Sequence, residues 1–380
     1  MRVGIDMTAL LPEAVGIDVH LLNLVRALAE LDSRNRYYLF INSADRERVR
    51  DRLPANFRVL AISARPRVLR LFAQQVLIPL LSLFLRLDVI HSPSFIMPLA
   101  RGRSRHLLTI HDMTFFTLPD YHVALRRSRA FRKAVLWSIR HSDLVCVPSE
   151  HVAKEVVRIA PATRASCIRT IPWGIGEEFS PQPDANIQKV RTWLKLASPY
   201  ILHVGTIEPR KNLLLLLDSY RRLVREHDVQ EHLVLSGKLG WGYEELLEQV
   251  NSDELRDRVH MPEYVPATYL PALYSGARLF VYPSVEEGFG FPPLEAMACG
   301  VPVVSSQSSS LAENLQGAAE LVSPSDGQAL TDAMLRLLRD ETLRRQRIHL
   351  GRERAAGFTW KEAARKTHES YTLLAAGPST

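Results

Sequence analysis

Apolar residues along this chain fall into short runs that alternate with longer stretches at helical spacing. The first run, MRVGIDM, reads as a strand; after a loop around residues 12–16, Leu21, Leu22, Leu24, Val25, Leu28 and Leu31 follow with a helical period. YYLFIN, FRVLAI, DVIHSP, HLLTIHD, DLVCVPS and CIRTIPW are further strand-like segments. A second strand-loop-helix unit opens at SPYILHVGTIEPRKN and runs into LLLLLDSYRRLVRE. HLVLSG, RVHMPEYV, RLFVYPS and VPVVSS then alternate with helices beginning near Tyr243, Ala267, Pro292 and Ala329. Near-continuous apolar strands interleaved with helices predict an α/β chain with doubly wound, largely parallel sheets. The Pro- and Gly-rich stretch IPWGIGEEFSPQPDANIQ predicts a surface linker, with a boundary inside residues 171–188 and domains over 1–180 and 181–358. Two such domains imply a cleft with ligands at the carboxyl ends of the strands. Neither opening loop carries GxGxxG, which argues against a dinucleotide.

A length of 380 residues suits two domains, and 46% hydrophobic with 23% charged residues excludes a disordered chain. Cys146, Cys167 and Cys299 are odd in number and widely spaced. They fit neither a disulfide framework nor a zinc site and read as reduced thiols of a cytoplasmic protein. The start, MRVGIDMTALLPEAVG, lacks a signal-peptide pattern, so the chain is expected in the cytoplasm. Residues 68–87 are apolar, but Arg70, Gln74, Gln75 and Arg86 interrupt them. The uninterrupted part, VLIPLLSLFL, is short against the roughly 20 residues of a membrane span. It is expected to form a buried or interfacial helix, with core packing as its main fate.

Charge is uneven. The net +7 divides into +10 over residues 1–180 and −3 over the remainder, and arginines concentrate at Arg101, Arg103 and Arg105 and at Arg126, Arg127, Arg129, Arg132 and Lys133. Such runs are usually solvated helix faces; the functional alternatives are an anionic membrane surface, a phosphorylated partner or nucleic acid.

The chemistry concentrates in PSVEEGFGFPPLEAMACGVPVV, residues 283–304. A strand end, a Gly-rich turn and a helix opening on Pro292 and Pro293 place the amides of Gly288, Phe289 and Gly290 at an anion-ready helix N-terminus. Glu287 and Glu295 flank this turn. Beside phosphates a carboxylate is repelled unless it faces hydroxyls, so the pair points to a ligand with diphosphate and polyol parts, a nucleotide sugar; local pairing of Glu295 on its helix is the competing reading. In VGTIEPRKN, Arg210 and Lys211 precede a helix opened by Asn212, a suitable N-cap. Two cations there oppose the helix dipole, and a diphosphate supplies the anion they require.

With these motifs in place the chain resembles glycosyltransferase family 4, whose GT-B fold has two Rossmann-like domains facing an interdomain cleft. The resemblance extends over QQVLIPLLSLFLRLDVIHSPS, LLTIHDMTFF, IPWGIGEEF, SGKLGW and the closing FTWKEAARKTHESY. It implies sugar transfer from a nucleotide sugar with retention at the anomeric carbon, without a metal or other cofactor. It also implies an acceptor-binding N-terminal domain, a donor-binding C-terminal domain and a last helix, 359–380, returning toward the first domain. Arg210 and Lys211 would hold the diphosphate, Glu287 donor-sugar hydroxyls and Glu295 the ribose, and His111 would lie near the transferred sugar. His111 otherwise reads as a strand-end histidine, and Asp112 as orienting its loop. Where the family reads GIGRY this chain has Gly16-Ile17-Asp18-Val19-His20, so Asp18 either caps the helix or faces an acceptor hydroxyl. Thr206 stands where relatives often carry Arg, and Glu263-Tyr264-Val265 replaces Gly-Tyr-Val.

The expectation is a mannosyltransferase-like enzyme using GDP-mannose, with UDP-sugars second, that acts on a lipid-diphosphate-linked or other glycan acceptor in surface polysaccharide assembly. The basic clusters suggest peripheral attachment to the anionic inner face of the cytoplasmic membrane. A non-catalytic basic binding protein is the alternative. Nucleic acid is disfavoured because Phe131 and Trp137 are the only aromatics within the densest cluster.

Overall fold

A computed structural model describes residues 1–10, 16–50, 53–65, 67–121, 128–196 and 199–377. Seven strands, β1 (Arg2–Met7), β2 (Arg36–Asn42), β3 (Phe57–Ile62), β4 (Val89–Ser92), β5 (Arg105–Thr109), β6 (Leu144–Val147) and β7 (Ile168–Thr170), form one sheet in the order β3-β2-β1-β4-β5-β6-β7. Six more, β8 (Tyr200–Val204), β9 (His232–Ser236), β10 (Val259–His260), β11 (Ala277–Tyr282), β12 (Val303–Ser306) and β13 (Glu320–Val322), form a second in the order β10-β9-β8-β11-β12-β13. Every pairing is parallel. The doubly wound expectation holds for both sheets; β13 is a short strand that the apolar pattern did not mark.

The chain divides into two units, Met1–Gly174 with Thr359–Thr380, and Ile175–Phe358. In the first, β2 shows why its sequence reads as an unbroken apolar run. Tyr37, Leu39 and Ile41 enter one core while Tyr38 and Phe40 enter another, as a strand buried on both faces requires. Helix α1 (Ile17–Leu31) and the closing helix Trp360–Ala376 pack into the first of these cores, the latter through Ala363, Ala364, Tyr371 and Leu374. A side chain at Gly174 would lie 2.1 Å from the Trp360 backbone nitrogen, so the residue there must be Gly. In the second unit, helix Leu213–His227 buries Leu213, Leu216, Leu217, Tyr220 and Leu223, the spacing of one helical face.

Residues 68–85 correct one expectation. Arg67–Phe72, a π-turn at Ala73–Leu77 and Ile78–Leu85 follow one another as a helix, of which Ala73, Gln74, Ile78 and Ser82 point inward. The other face is exposed: Val76 is 40%, Leu80 59%, Leu83 51% and Phe84 84% accessible. Only one face of the helix has β-sheet beneath it, so core packing takes half of the apolar residues.

The basic clusters are also redrawn. Arg101, Arg103 and Arg105 are all exposed; Arg101 and Arg105 both pair with Asp143, at 2.7 and 2.9 Å, whereas Arg103 makes no ion pair among the described residues. Arg129 and Lys133 are exposed and Arg132 lies over the Phe116 ring; Arg126 and Arg127 fall outside the described residues.

Candidate active site

In the second unit the strand order reverses between the neighbours β8 and β11, the place where such sheets receive ligands. The loops 205–212 and 283–290 leave these two strands at their carboxyl ends and are tied together. The Val285 amide donates to the Arg210 carbonyl at 2.9 Å, and an Arg210 guanidinium nitrogen donates to the Glu286 carbonyl at 2.6 Å. Asn212 occupies the expected cap position but has φ 57°, and its side chain does not cap the helix. Its amide instead donates to the carbonyls of Pro283, at 3.2 Å, and Pro324, at 2.8 Å, so the residue ties together three loops.

The anion that Arg210 and Lys211 require is already present in the protein. One Glu287 oxygen lies 2.5 Å from Lys211 Nζ, the other 2.8 Å from Arg210, and Arg210 also pairs with Glu208 at 2.7 Å. Ser284 and Tyr282 hydroxyls donate to the same Glu287 oxygen that Lys211 contacts, at 2.7 and 3.1 Å. Burial works against ionisation of Glu287, yet the Arg210 and Lys211 charges outweigh it and hold the carboxyl well below its ordinary range. Glu287, expected at sugar hydroxyls, thus has both oxygens engaged by these groups. An internal network of two cations and two acids thus offsets the charge for which a diphosphate was expected. Tyr282, Ser284 and Glu208 carry no motif-level signal of this role beyond their places at the ends of the two strands.

Glu295 is different. It sits in helix Phe291–Ala298, which opens with Pro292 and Pro293 as expected, and accepts a hydrogen bond from Tyr274 Oη at 2.8 Å. It makes no ion pair with a cation among the described residues. Burial raises its carboxyl to about 7, Glu178 adds repulsion, and the Tyr274 hydrogen bond opposes the rise. Gly290 precedes the helix at φ 89°, a conformation that suits Gly, and Phe289 beside it is buried with its carbonyl bonded to Asn314. Gly288 shares this turn.

The neighbouring loop after β9 matters as well. Ile207 and Leu239 form a parallel bridge, and Gly237 approaches so closely that a Cβ there would stand 1.8 Å from the Gly205 carbonyl oxygen. Thr206 lies in this seam, its methyl facing Gly240.

The other predicted residues belong to the first unit. His111 follows β5, is buried, and its Nε2 lies 2.5 Å from the Pro93 carbonyl, so that nitrogen carries the proton. Its ring packs edge-on against His20 and Phe95 and at a tilt to Trp173. Asp112 accepts from the backbone and hydroxyl of Thr114, at 3.0 and 2.5 Å, and so shapes the loop after β5. Asp6 makes the same pair of bonds to Thr8 after β1. Gly16 occupies the N-cap of α1 with φ 39°, which places Asp18, buried, inside the first turn.

Comparison with known proteins agrees with this architecture. Residues 15–179 match the family described as Glycosyltransferase Family 4, and residues 186–354 match Glycosyl transferases group 1. O-antigen chain mannosyltransferase B of Escherichia coli is 35% identical over 75% of this chain and 74% of its own length. The serotype-specific mannosyltransferase WbdA of the same organism is 29% identical over 70% of this chain, which spans about a third of WbdA. Among solved structures, sucrose-phosphate synthase from Thermosynechococcus elongatus superimposes with a TM-score of 0.79 at 23% identity, covering 99% of each chain. WaaG, a glycosyltransferase involved in lipopolysaccharide biosynthesis, gives 0.73 at 14% identity over 97% of this chain and 99% of its own. Two parallel-sheet units, an acid-and-base network at the second sheet's reversal point and these similarities agree: the chain belongs to glycosyltransferase family 4 and has the GT-B fold.

Proposed function

We propose that this glycosyltransferase moves mannose from GDP-mannose, with retention and without a metal, onto a lipid-diphosphate-linked glycan during surface polysaccharide assembly at the cytoplasmic face of a membrane. The donor sugar and acceptor rest on the similarity to mannosyltransferases of O-antigen synthesis. The reading is carried by one contrast: half-buried Arg210 and buried Lys211, gathered by Glu287, stand at the strand ends, while the half-buried carboxyl of Glu295 pairs with no cation among the described residues. Cations suit a diphosphate, and an unpaired carboxylate suits hydroxyl donors.

In this reading Arg210 and Lys211 bind the diphosphate and stabilise charge on the departing nucleotide. Glu287 holds those two side chains in position, with exchange of one of its contacts opening it to the donor sugar. Glu295 accepts from the ribose, the turn Gly288-Phe289-Gly290 supports a phosphate, and His111 acts in the transition state more than in ground-state binding. The test is thermal stabilisation by GDP- and UDP-sugars, followed by turnover with lipid-linked saccharides in the presence of chelator and analysis of product configuration. GDP-mannose should stabilise most and give a retained linkage. Stabilisation by no nucleotide sugar, or an inverted product, overturns the reading, and preference for a UDP-sugar replaces the donor.

A further inference from the structure

The helix over Val68–Leu85 is long and apolar enough to cross a bilayer, yet only 28% of it is buried. It cannot span. Gln74 donates to Asp6 at 3.0 Å and to the Ile96 carbonyl at 3.0 Å, and Ala73 and Ile78 sit in a core with Tyr38, Phe40 and Ile90. One side is therefore fastened to the sheet along the helix. Phe72, Val76, Leu80, Leu83 and Phe84 succeed one another at about helical intervals on the other side, all of them exposed. Leu99, 61% exposed, is held beside them by its amide, which donates to Gln75, and Gly102 lies against Leu83. Single exposed apolar residues are ordinary; a row of this length is a docking face.

The charge around it selects the partner. Between residues 52 and 111 the chain carries nine arginines, no lysine and one acid, Asp88; Arg65 is paired with Asp45, and Arg101 and Arg105 with Asp143, which leaves the balance basic. Exposed Arg86 ends the helix and exposed Arg103 follows Gly102; neither makes an ion pair among the described residues. A second copy of the chain laid on this face would set arginines against arginines. An anionic lipid surface accepts both the apolar row and the cations, and a helix fastened along one side lies in the interface plane with its free face in the acyl boundary.

We propose that the face formed by Phe72, Val76, Leu80, Leu83, Phe84 and Leu99 inserts into the outer layer of an anionic bilayer, with Arg86 and Arg103 at the headgroups. The proposal deepens the lipid-linked-acceptor reading and rests on it for its purpose, while its test needs neither donor nor acceptor. The full chain is sedimented with vesicles of phosphatidylcholine with and without phosphatidylglycerol. Wild-type protein should bind the anionic vesicles, and Leu80→Ser/Leu83→Ser/Phe84→Ser should lower that binding at least ~10-fold without lowering the melting temperature, because these side chains are already in water. Arg86→Gln/Arg103→Gln should weaken binding to the anionic vesicles alone and reduce its salt dependence. Equal binding by wild type and the triple variant overturns the proposal. So does a wild-type dimer that the triple variant converts to monomer while vesicles capture neither, which would assign the face to self-association. Stabilisation by GDP-mannose, measured on the same proteins, reports separately on the donor reading.

Discussion

Glu287 and Glu295 are two glutamates at opposite ends of one short motif, and their surroundings drive their carboxyl groups in opposite directions. Removing the charge of Glu287 leaves Arg210 and Lys211 buried around a neutral amide, and breaking a buried pair in this way typically costs about 3–5 kcal/mol. Glu287→Gln should therefore lose several kcal/mol in urea denaturation at pH 7; an unchanged midpoint would show that the network is not structural. Since the folded-state value is depressed, the wild-type contribution is complete above the ordinary value of 4.5 and declines as pH falls below it. Glu295 works with the opposite sign. Its carboxyl, raised to about 7, favours the folded state in protonated form, a stability complete below 4.5 and lost as pH rises through 7. Glu295→Gln should match wild type near pH 4 and exceed it at pH 8 by about 2 kcal/mol, allowing for partial exposure. Calorimetry at the two pH values checks this. On the role proposed for Glu295, in which a ribose hydroxyl donates to the ionised form, nucleoside affinity of wild type should also fall below pH 7 and that of Glu295→Gln should stay flat.

At the scale of elements, the site consists of loops held by backbone proximity. Gly237 is the tightest point, with φ 154° and the Gly205 carbonyl where a Cβ would go. Gly237→Ala must push the 205–212 loop away from its neighbour, so we expect a loss of stability of about 1–3 kcal/mol and weaker binding of nucleotide diphosphate. Gly317→Ala is the control: φ is 77° but nothing lies within 4 Å of the added methyl, so it carries backbone strain without moving the site. Equal effects of the two substitutions on nucleotide titration would refute a special role for the seam. Asn212 belongs to the same scale. Side chains of this type commonly cap helices, but here the left-handed backbone turns the amide toward two carbonyls of other loops. A local preference yielded to contacts made by residues 71 and 112 positions away.

For the whole molecule, the closing helix Trp360–Ala376 completes the first unit although it follows the second along the chain. Tyr371 is its anchor: the ring is fully buried and Oη lies 2.8 Å from His91 Nδ1, whose other nitrogen meets Thr109 Oγ1 at 2.7 Å. Burial lowers His91 to about 3, so this chain of bonds contains a neutral imidazole. Tyr371→Phe leaves that ring short of one partner and should cost about 1–3 kcal/mol in thermal unfolding, with nucleotide affinity at the donor site proposed in the second unit unchanged. A parallel loss of nucleotide binding would mean that the two units are energetically coupled.

Periodicity alone determined the alternation of strands and helices, because strands buried on both faces are apolar throughout and the helices between them are apolar on one face. YYLFIN and RLFVYPS were legible as strands for that reason, and the Gly-rich turn before Pro292 as a helix start. β13 was not, since its three residues are only partly buried and carry too little apolar signal. Motif spacing likewise brought Arg210, Lys211, Glu287 and Glu295 into view, because residues at strand ends are close in space whenever their strands are neighbours. Whether those charges meet one another or wait for a ligand is decided by distances between loops some 75 positions apart, which no local pattern encodes. The same holds for residues 68–85: their composition says apolar, but only the sheet beneath them decides which face is covered and which remains exposed.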